Sequence, residues 1–404
     1  MIERYIKENL PKTVRECKAD AFPFFALPKP YNVPCASGMF QEMYYWDSYF
    51  TNRGLIIDGD IEQARNNTEN LMAMAERFGF VLNGNRAEFL NNSQPPFMSE
   101  MIRDVYEVTG DKEWLRSAMS AVRKEYEFYT EKRNSEIGLS HYDAVMPISD
   151  EQIKRGAELL TERLGYVPEV SFDELARGLF SVGESGWDIN PRMTYRAYDY
   201  ACAELNSLIW SIENNMEFFS RELLVDDEAK TWHSRKTARG ELMRKYLMDS
   251  EGIFFDYDLK EKRRTELFSA ACYYPLYFGL ASDEEAAAAM SKLSLLETEW
   301  GTLTSVRADE IKGTFQWGYP NGWPPMQQII VGGLMRYGYV DEARRIAAKF
   351  LRLIEKVFNE TGHLWEKYDV VKGSADALAE YETPAMLGWT YGTYRVFKSL
   401  LSSN

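Results

Sequence analysis

Apolar residues recur along this chain at the spacing of a helix surface. Between Ala201 and Leu223, Leu205, Leu208, Ile209, Ile212, Met216 and Phe219 form one stripe, as in a helix with a single buried face. The same periodicity predicts helices over about 62–78, 97–109, 112–131, 227–248, 283–296, 325–337, 340–358 and 384–401, and it persists through the polar run Ser149–Gly165. Strand-like alternation is sparse, and only Gly252–Lys260 and Gly362–Val371 predict short extended pieces. Helices of this length joined by short turns pack as antiparallel hairpins. A stacked solenoid would show a sequence period of ~30–45 residues, and none is visible. The expected fold is therefore all-α, a closed toroid of helix pairs. No Ser/Gly/Pro-rich linker or charge block cuts the 404 residues, so one domain over 1–404 is expected, with 1–33 as a lead-in.

Composition narrows the class. Hydrophobic residues make up 45% of the chain, enough for a sizeable core at this length. The net charge is −15, with no Lys/Arg stripe, which argues against a nucleic-acid partner. The charged N-terminus does not read as a signal peptide, and no apolar run reaches membrane-span length. Cys17, Cys35, Cys202 and Cys272 are scattered, the pattern of reduced thiols, so a cytoplasmic location is expected, as a monomer or homodimer. His141, His233 and His363 are not spaced for ligation, so neither a metal nor a cofactor is expected.

Five stretches stand out from the helical background: Gly38–Phe50, Asn83–Phe97, Glu184–Arg192, Gln316–Gln327, and Glu366–Val370 with Ala379–Gly392. In each, aromatic residues sit beside Asp, Asn, Gln, Glu and Gly. Flat ring faces next to hydrogen-bonding side chains suit a sugar, whose CH face stacks while its hydroxyls are held. "ESGWD" (Glu184–Asp188) reads as a broken loop in which an aspartate adjoins an indole. Desolvation there would raise the Asp188 carboxyl pKa and let it hold a proton. Glu366 follows Trp365 and precedes Lys367 and Tyr368, which would help keep it ionised. Two carboxyls in different environments are what glycosidic hydrolysis requires. Trp46-Asp47 and the pair Asn83/Gln94 are candidates to hold hydroxyls. They also read as a core Trp, a helix N-cap and a helix entry. Trp317 and Trp323 flank a turn and serve equally as core or as stacking platforms.

These segments resemble the trehalase family of inverting glycoside hydrolases. The first signature is matched by Phe40, Glu42, Tyr44, Trp46, Asp47 and Tyr49, the second by Gln316, Trp317, Pro320, Asn321, Gly322, Trp323 and Pro325. The matches run in order over about residues 34–395. The resemblance implies an (α/α)6 barrel, with Asp188 as general acid and Glu366 as general base. It implies a small carbohydrate substrate held by Phe40, Tyr44, Trp46, Asp47, Asn83, Gln94, Glu169, Gly186, Gln316, Trp317 and Glu380.

The departures concern the substrate. Three arginine positions of the family pattern carry Met39, Asn92 and Val167, and Gly318 replaces an aspartate. Those arginines grip the disaccharide in the family, so the pattern leans away from an unchanged trehalose site. It leaves open a small α-glucoside such as trehalose, a glucosyl- or mannosyl-glycerate, or a glucose-capped oligosaccharide. A sugar-binding protein without catalysis is the reading from another class, opposed by the retained Asp188/Glu366 pair.

Overall fold

The computed structural model of the protein describes residues 1–145 and 148–402. In chain order the first half forms α1 (Ile2–Asn9), α2 (Tyr45–Ile57), α3 (Ile61–Phe78), α4 (Met98–Thr109), α5 (Lys112–Glu127), α6 (Asp150–Leu164) and α7 (Phe172–Ser185). The second half adds α8 (Ala203–Glu222), α9 (Asp226–Tyr246), α10 (Tyr274–Phe278), α11 (Asp283–Ser291), α12 (Pro324–Arg336), α13 (Val340–Thr361) and α14 (Gly388–Ser402).

Composition sorts these helices into two layers. α2 and α12 are buried around most of their circumference, which requires cover on every side. α13 instead buries one stripe, including Ala343, Ile346, Ala347, Phe350, Ile354 and Val357, and turns charged residues outward. The inner layer is a ring. Helices α2, α4, α8, α10, α12 and α14 each pack on the next, and α14 returns to α2. The outer layer is α3, α5, α9, α11 and α13, with α1 laid against α13 and α14 through Tyr5–Phe358 and Glu3–Arg395. The fold is the (α/α)6 barrel. Closure depends on one close approach. A Cβ at Gly392 of α14 would stand 1.8 Å from the Phe50 carbonyl oxygen, so only glycine lets the two backbones meet there.

Some boundaries differ from the periodicity. The helix expected over 283–296 stops at Ser291 and continues as a 3-10 turn at Leu293–Leu295. Helix α5 passes into a π turn at Phe128–Lys132. The expected loop at Glu184–Asp188 is a loop only in part. Glu184 and Ser185 are the last turn of α7, which a Ser171/Glu174 capping box starts and Gly186 ends at φ 70°. Both expected extended pieces hold a two-residue strand, Tyr257–Asp258 and Tyr368–Asp369.

Helices α6 and α7 form a hairpin between α5 and α8, pressed together where Gly156 meets Ala176. The apolar face of α6 (Ala157, Leu160, Leu164) shares a small cluster with Leu175, Ile189, Tyr195 and Phe315. The hairpin is thereby fixed to the turn that carries Asp188.

Candidate active site

A cavity of about 350 Å³ is walled by the segments that lead into α2, α4, α8, α12 and α14, and by α6 and α7. Asp188 enters it from the turn after α7. The base of that turn is rigid, because the fully buried Glu184 accepts from Arg133 Nε (2.6 Å) and Nη2 (2.9 Å) and from the Ser93 N–H (2.9 Å). Gly186 then passes so close to Trp46 that a Cβ would stand 2.9 Å from its ring. Trp187 is buried, with Trp317 packed at 5.6 Å and the Arg192 guanidinium 4.4 Å over its ring. Asp188 itself has φ 44°, a left-handed conformation that persists only when the surroundings impose it. Asn190 Nδ2 donates to its carbonyl at 3.0 Å, and Gln316 Nε2 approaches its Oδ2 to 3.5 Å. Burial pushes the Asp188 carboxyl above the usual range. Arg163 and Lys367 draw it back, while the Glu366 charge pushes it further up.

Glu366 arrives from a different part of the chain. The antiparallel pairing of Asn321–Gly322 with Tyr368–Asp369 sets its segment beside Gln316–Trp323. Lys367 Nζ donates to Glu366 Oε2 at 2.5 Å, and the Tyr381 hydroxyl donates to Oε1 at 2.8 Å. Trp389 Nε1 donates to its backbone carbonyl at 2.9 Å. Lys367 is fully buried, with its ammonium 4.9 Å from the Trp323 ring. Of the two neighbours expected to support Glu366, Lys367 does so. Tyr368 does not, because its hydroxyl faces the Trp365 N–H at 3.1 Å.

The cavity wall also contains Phe40, Tyr44, Trp46, Asp47, Asn83, Gln94, Gly186 and Trp317, so most of the residues singled out in the sequence come together. Their contacts sharpen what each contributes. Asn83 Nδ2 donates to the Ser93 and Gly183 carbonyls, and Gln94 Oε1 accepts from the Trp46 N–H. Both brace the wall. Trp323 lies flat on Trp317 at 3.7 Å, and the buried Trp317 Nε1 has no hydrogen-bond partner among the described residues. Phe40 is half-buried and meets Tyr44 and Tyr381 edge-on. Gln316 is buried behind the wall, where its Oε1 faces the Glu380 N–H at 3.4 Å. Both carboxylate oxygens of Glu380 are buried without a hydrogen-bond partner among the described residues. Burial first, then the Asp188 charge, raises the Glu380 carboxyl well above its ordinary value. Asp47, in the first turn of α2, is pushed up to about 8 by burial and by the charges of Glu366 and Asp188.

Three residues expected to hold the substrate, Gln316, Glu380 and Glu169, do not line the cavity. Helix α6 ends at Gly165 in a left-handed turn, and the connection to α7 runs over the surface. Glu169 is exposed on that connection, and Val167 is 73% exposed. Met39 is exposed as well, and of the three replaced arginine positions Asn92 lines the cavity. The cavity does hold arginines, from a place the motifs did not mark. Gln152, Arg155, Gly156, Leu159 and Arg163 of α6 line it along one helical face. The sequence shows that α6 has a polar face, and nothing in that segment alone says what the face looks at.

Beneath the Asp188 turn lies a buried ion network. Arg192 Nε and Nη2 donate to Asp256 at 3.0 and 2.7 Å, and Nη2 also contacts Glu204. Cys202, Glu204 and Asp256 are the one metal-compatible grouping of His, Cys, Asp and Glu side chains among the described residues, and the Arg192 guanidinium already pairs with its two acids. Removing one partner from a buried charge group leaves the others uncompensated. Arg192→Met is therefore expected to cost about 3–5 kcal/mol, read from the midpoint of chemical unfolding. A change below about 1 kcal/mol would mean that the network does not hold the turn.

Comparison with known proteins gives a consistent picture. The family model Trehalase matches residues 2–402. The chain is 30% identical over 390 residues to the periplasmic trehalase of Escherichia coli O1:K1 / APEC, covering 91% of this chain and 68% of that protein. It is 31% identical over 391 residues to the periplasmic trehalase of Pseudomonas aeruginosa, covering 91% and 70%. The neutral trehalase of Saccharomyces cerevisiae superposes with a TM-score of 0.80 at 29% identity, covering 93% of this chain and 74% of that one. A mannosylglycerate hydrolase from Thermus thermophilus shares the fold, with a TM-score of 0.67 at 17% identity, covering 99% and 100%. The names of the bacterial relatives overturn the expected cytoplasmic location, since both are periplasmic enzymes. The scattered cysteines misled because Cys35, Cys202 and Cys272 are buried core residues, and a buried unpaired thiol says little about its compartment.

Proposed function

The chain belongs to the trehalase family and is a glycoside hydrolase acting on O-glycosyl bonds; from that premise we propose that it hydrolyses α,α-trehalose with inversion. Asp188 protonates the bridging oxygen as the bond breaks, and Glu366 takes a proton from the attacking water on the opposite face of the sugar. The supporting observation is that both carboxyls face one cavity in contrasting surroundings. Asp188 is a buried acid pushed toward its protonated form. Glu366 is met by the Lys367 ammonium and the Tyr381 hydroxyl. An inverting enzyme keeps the two carboxyls ~6.5–9.5 Å apart so that a water fits between base and sugar. Phe40 and Trp46 would flank the sugar, and Asp47 would hold a hydroxyl. The Met39 and Val167 departures lose their force against trehalose, because neither residue lines the cavity.

A substrate panel tests the choice. Trehalose, kojibiose, glucosylglycerate and mannosylglycerate are incubated with the enzyme, and trehalose is expected to give the highest kcat/KM. Cleavage of a glycerate glycoside alone would overturn the substrate. No cleavage of any of them, with glucose still raising Tm, would leave a sugar-binding protein.

A further inference from the structure

We propose that Phe180 of α7 and Leu159 of α6 form an apolar platform for the leaving half of the substrate, so that the site selects a leaving group with an apolar face, such as a sugar ring. This deepens the reading of Asp188 as general acid and rests on it.

Both side chains are half-buried, and both line the cavity. Neither belongs to an apolar cluster of the core or packs against one among the described residues. The other apolar side chains of that part of the wall do serve a core. Phe40 and Phe89 pack on the main cluster, and Leu179 packs on the cluster beneath α6. Apolar side chains that support no core and face a concave surface are left to be covered by what binds there. The CH face of a pyranose offers such cover, and burying it on an aromatic ring removes apolar surface from water on both sides.

The path of the chain places the platform. Phe180, Gly183 and Gly186 recur every three residues along α7 and its cap, and all three line the cavity. Residues three apart share one helix face, and six residues of helix span about 9 Å. Two residues after Gly186 comes Asp188, so the ring and the acid stand on one wall, with the ring about 9 Å further along the helix. Gly183 adds no side chain between them, and a Cβ there would stand 3.2 Å from Asn92 Nδ2. Leu159 joins from α6. Three residues before it a Cβ at Gly156 would stand 3.3 Å from the Ala176 backbone, one turn of α7 before Phe180.

Glu366 comes with another part of the wall, with Tyr381 and Trp389 beside it. In an inverting reaction the acid protonates the departing group, while the base and its water work on the opposite face of the other sugar. A ring that lies beside Asp188 and along α7 is therefore the one that leaves.

The test compares Phe180→Ala, Phe180→Tyr and Leu159→Ala on trehalose and on α-glucosyl fluoride, whose leaving group is too small to reach the platform. On trehalose Phe180→Ala is expected to lose about tenfold in kcat/KM, the scale of one buried ring face, and Leu159→Ala about threefold. The loss is expected mainly in KM, as for a contact made before and during the reaction. On the fluoride all three variants are expected to stay within about threefold of wild type, which also shows that they are folded. Phe180→Tyr keeps the ring and is expected to stay within about threefold on trehalose as well. Equal losses of Phe180→Ala on both substrates would make the ring a support of the acid turn and overturn the platform. Wild-type enzyme inactive on trehalose would overturn this proposal and the trehalose reading together. Wild-type activity on trehalose that Phe180→Ala leaves intact would overturn this proposal alone.

Discussion

Asp188→Asn is expected to lower kcat on trehalose about a thousandfold or more, toward the upper end of the ~10²–10⁴ that a positioned proton donor supplies. Asparagine keeps the shape of the side chain and its contact with Gln316, so the turn should survive. What it removes is the proton. The bridging oxygen of trehalose is a poor leaving group until it is protonated. Fluoride leaves without needing full protonation, so α-glucosyl fluoride is expected to lose less than about tenfold in the same variant. That contrast is specific to an acid. Parallel loss on both substrates would mean that Asp188 holds the site together and is not the proton donor.

Glu366→Gln is expected to fail on both substrates, each by about a thousandfold, because water must be activated whichever group departs. The side chain that replaces it still meets Tyr381 but no longer neutralises Lys367, which is fully buried. Stability should fall as well, by about 3–5 kcal/mol on the scale of a broken buried pair. Rates are therefore compared at a temperature where circular dichroism shows the variant folded. Near wild-type turnover of α-glucosyl fluoride by Glu366→Gln would assign the base to another residue, and Asp47 would be the first to examine.

The stripe on α8 was legible in the sequence because one face is buried and the periodicity shows it. Helix α2 was not among the expected helices, since a helix covered on nearly every side loses its polar face and with it the signal. Helix α10 is only five residues long, too short for any period. The closing contact of the ring, Gly392 on the Phe50 carbonyl, depends on two segments from opposite ends of the chain and has no local signature.

The candidate site followed a similar division. Asp188 and Glu366 were found because their neighbours are unusual, and the structure brings both to one cavity. Gly318, which replaces an aspartate of the family pattern, lies against Pro191 of the acid turn. A Cβ at 318 would stand 3.2 Å from the Pro191 ring, so a larger residue at 318 would crowd the acid turn. Arg163 was invisible for a physical reason. Its place in the cavity wall depends on where α6 is docked, and α6 packs on Ile189, Tyr195 and Phe315, which lie elsewhere in the chain. Glu169 was misplaced for the complementary reason, since Gly165 ends the helix and carries the following residues outward.

The most direct measurement is proton NMR of the anomeric signals during the first turnovers of trehalose, before mutarotation mixes them. One glucose leaves with its α configuration untouched, and inversion makes the other β. Equal amounts of α- and β-glucose are the predicted result. Two α-glucoses per trehalose would contradict it, and with it the assignment of Asp188 and Glu366 as the acid and base of an inverting enzyme.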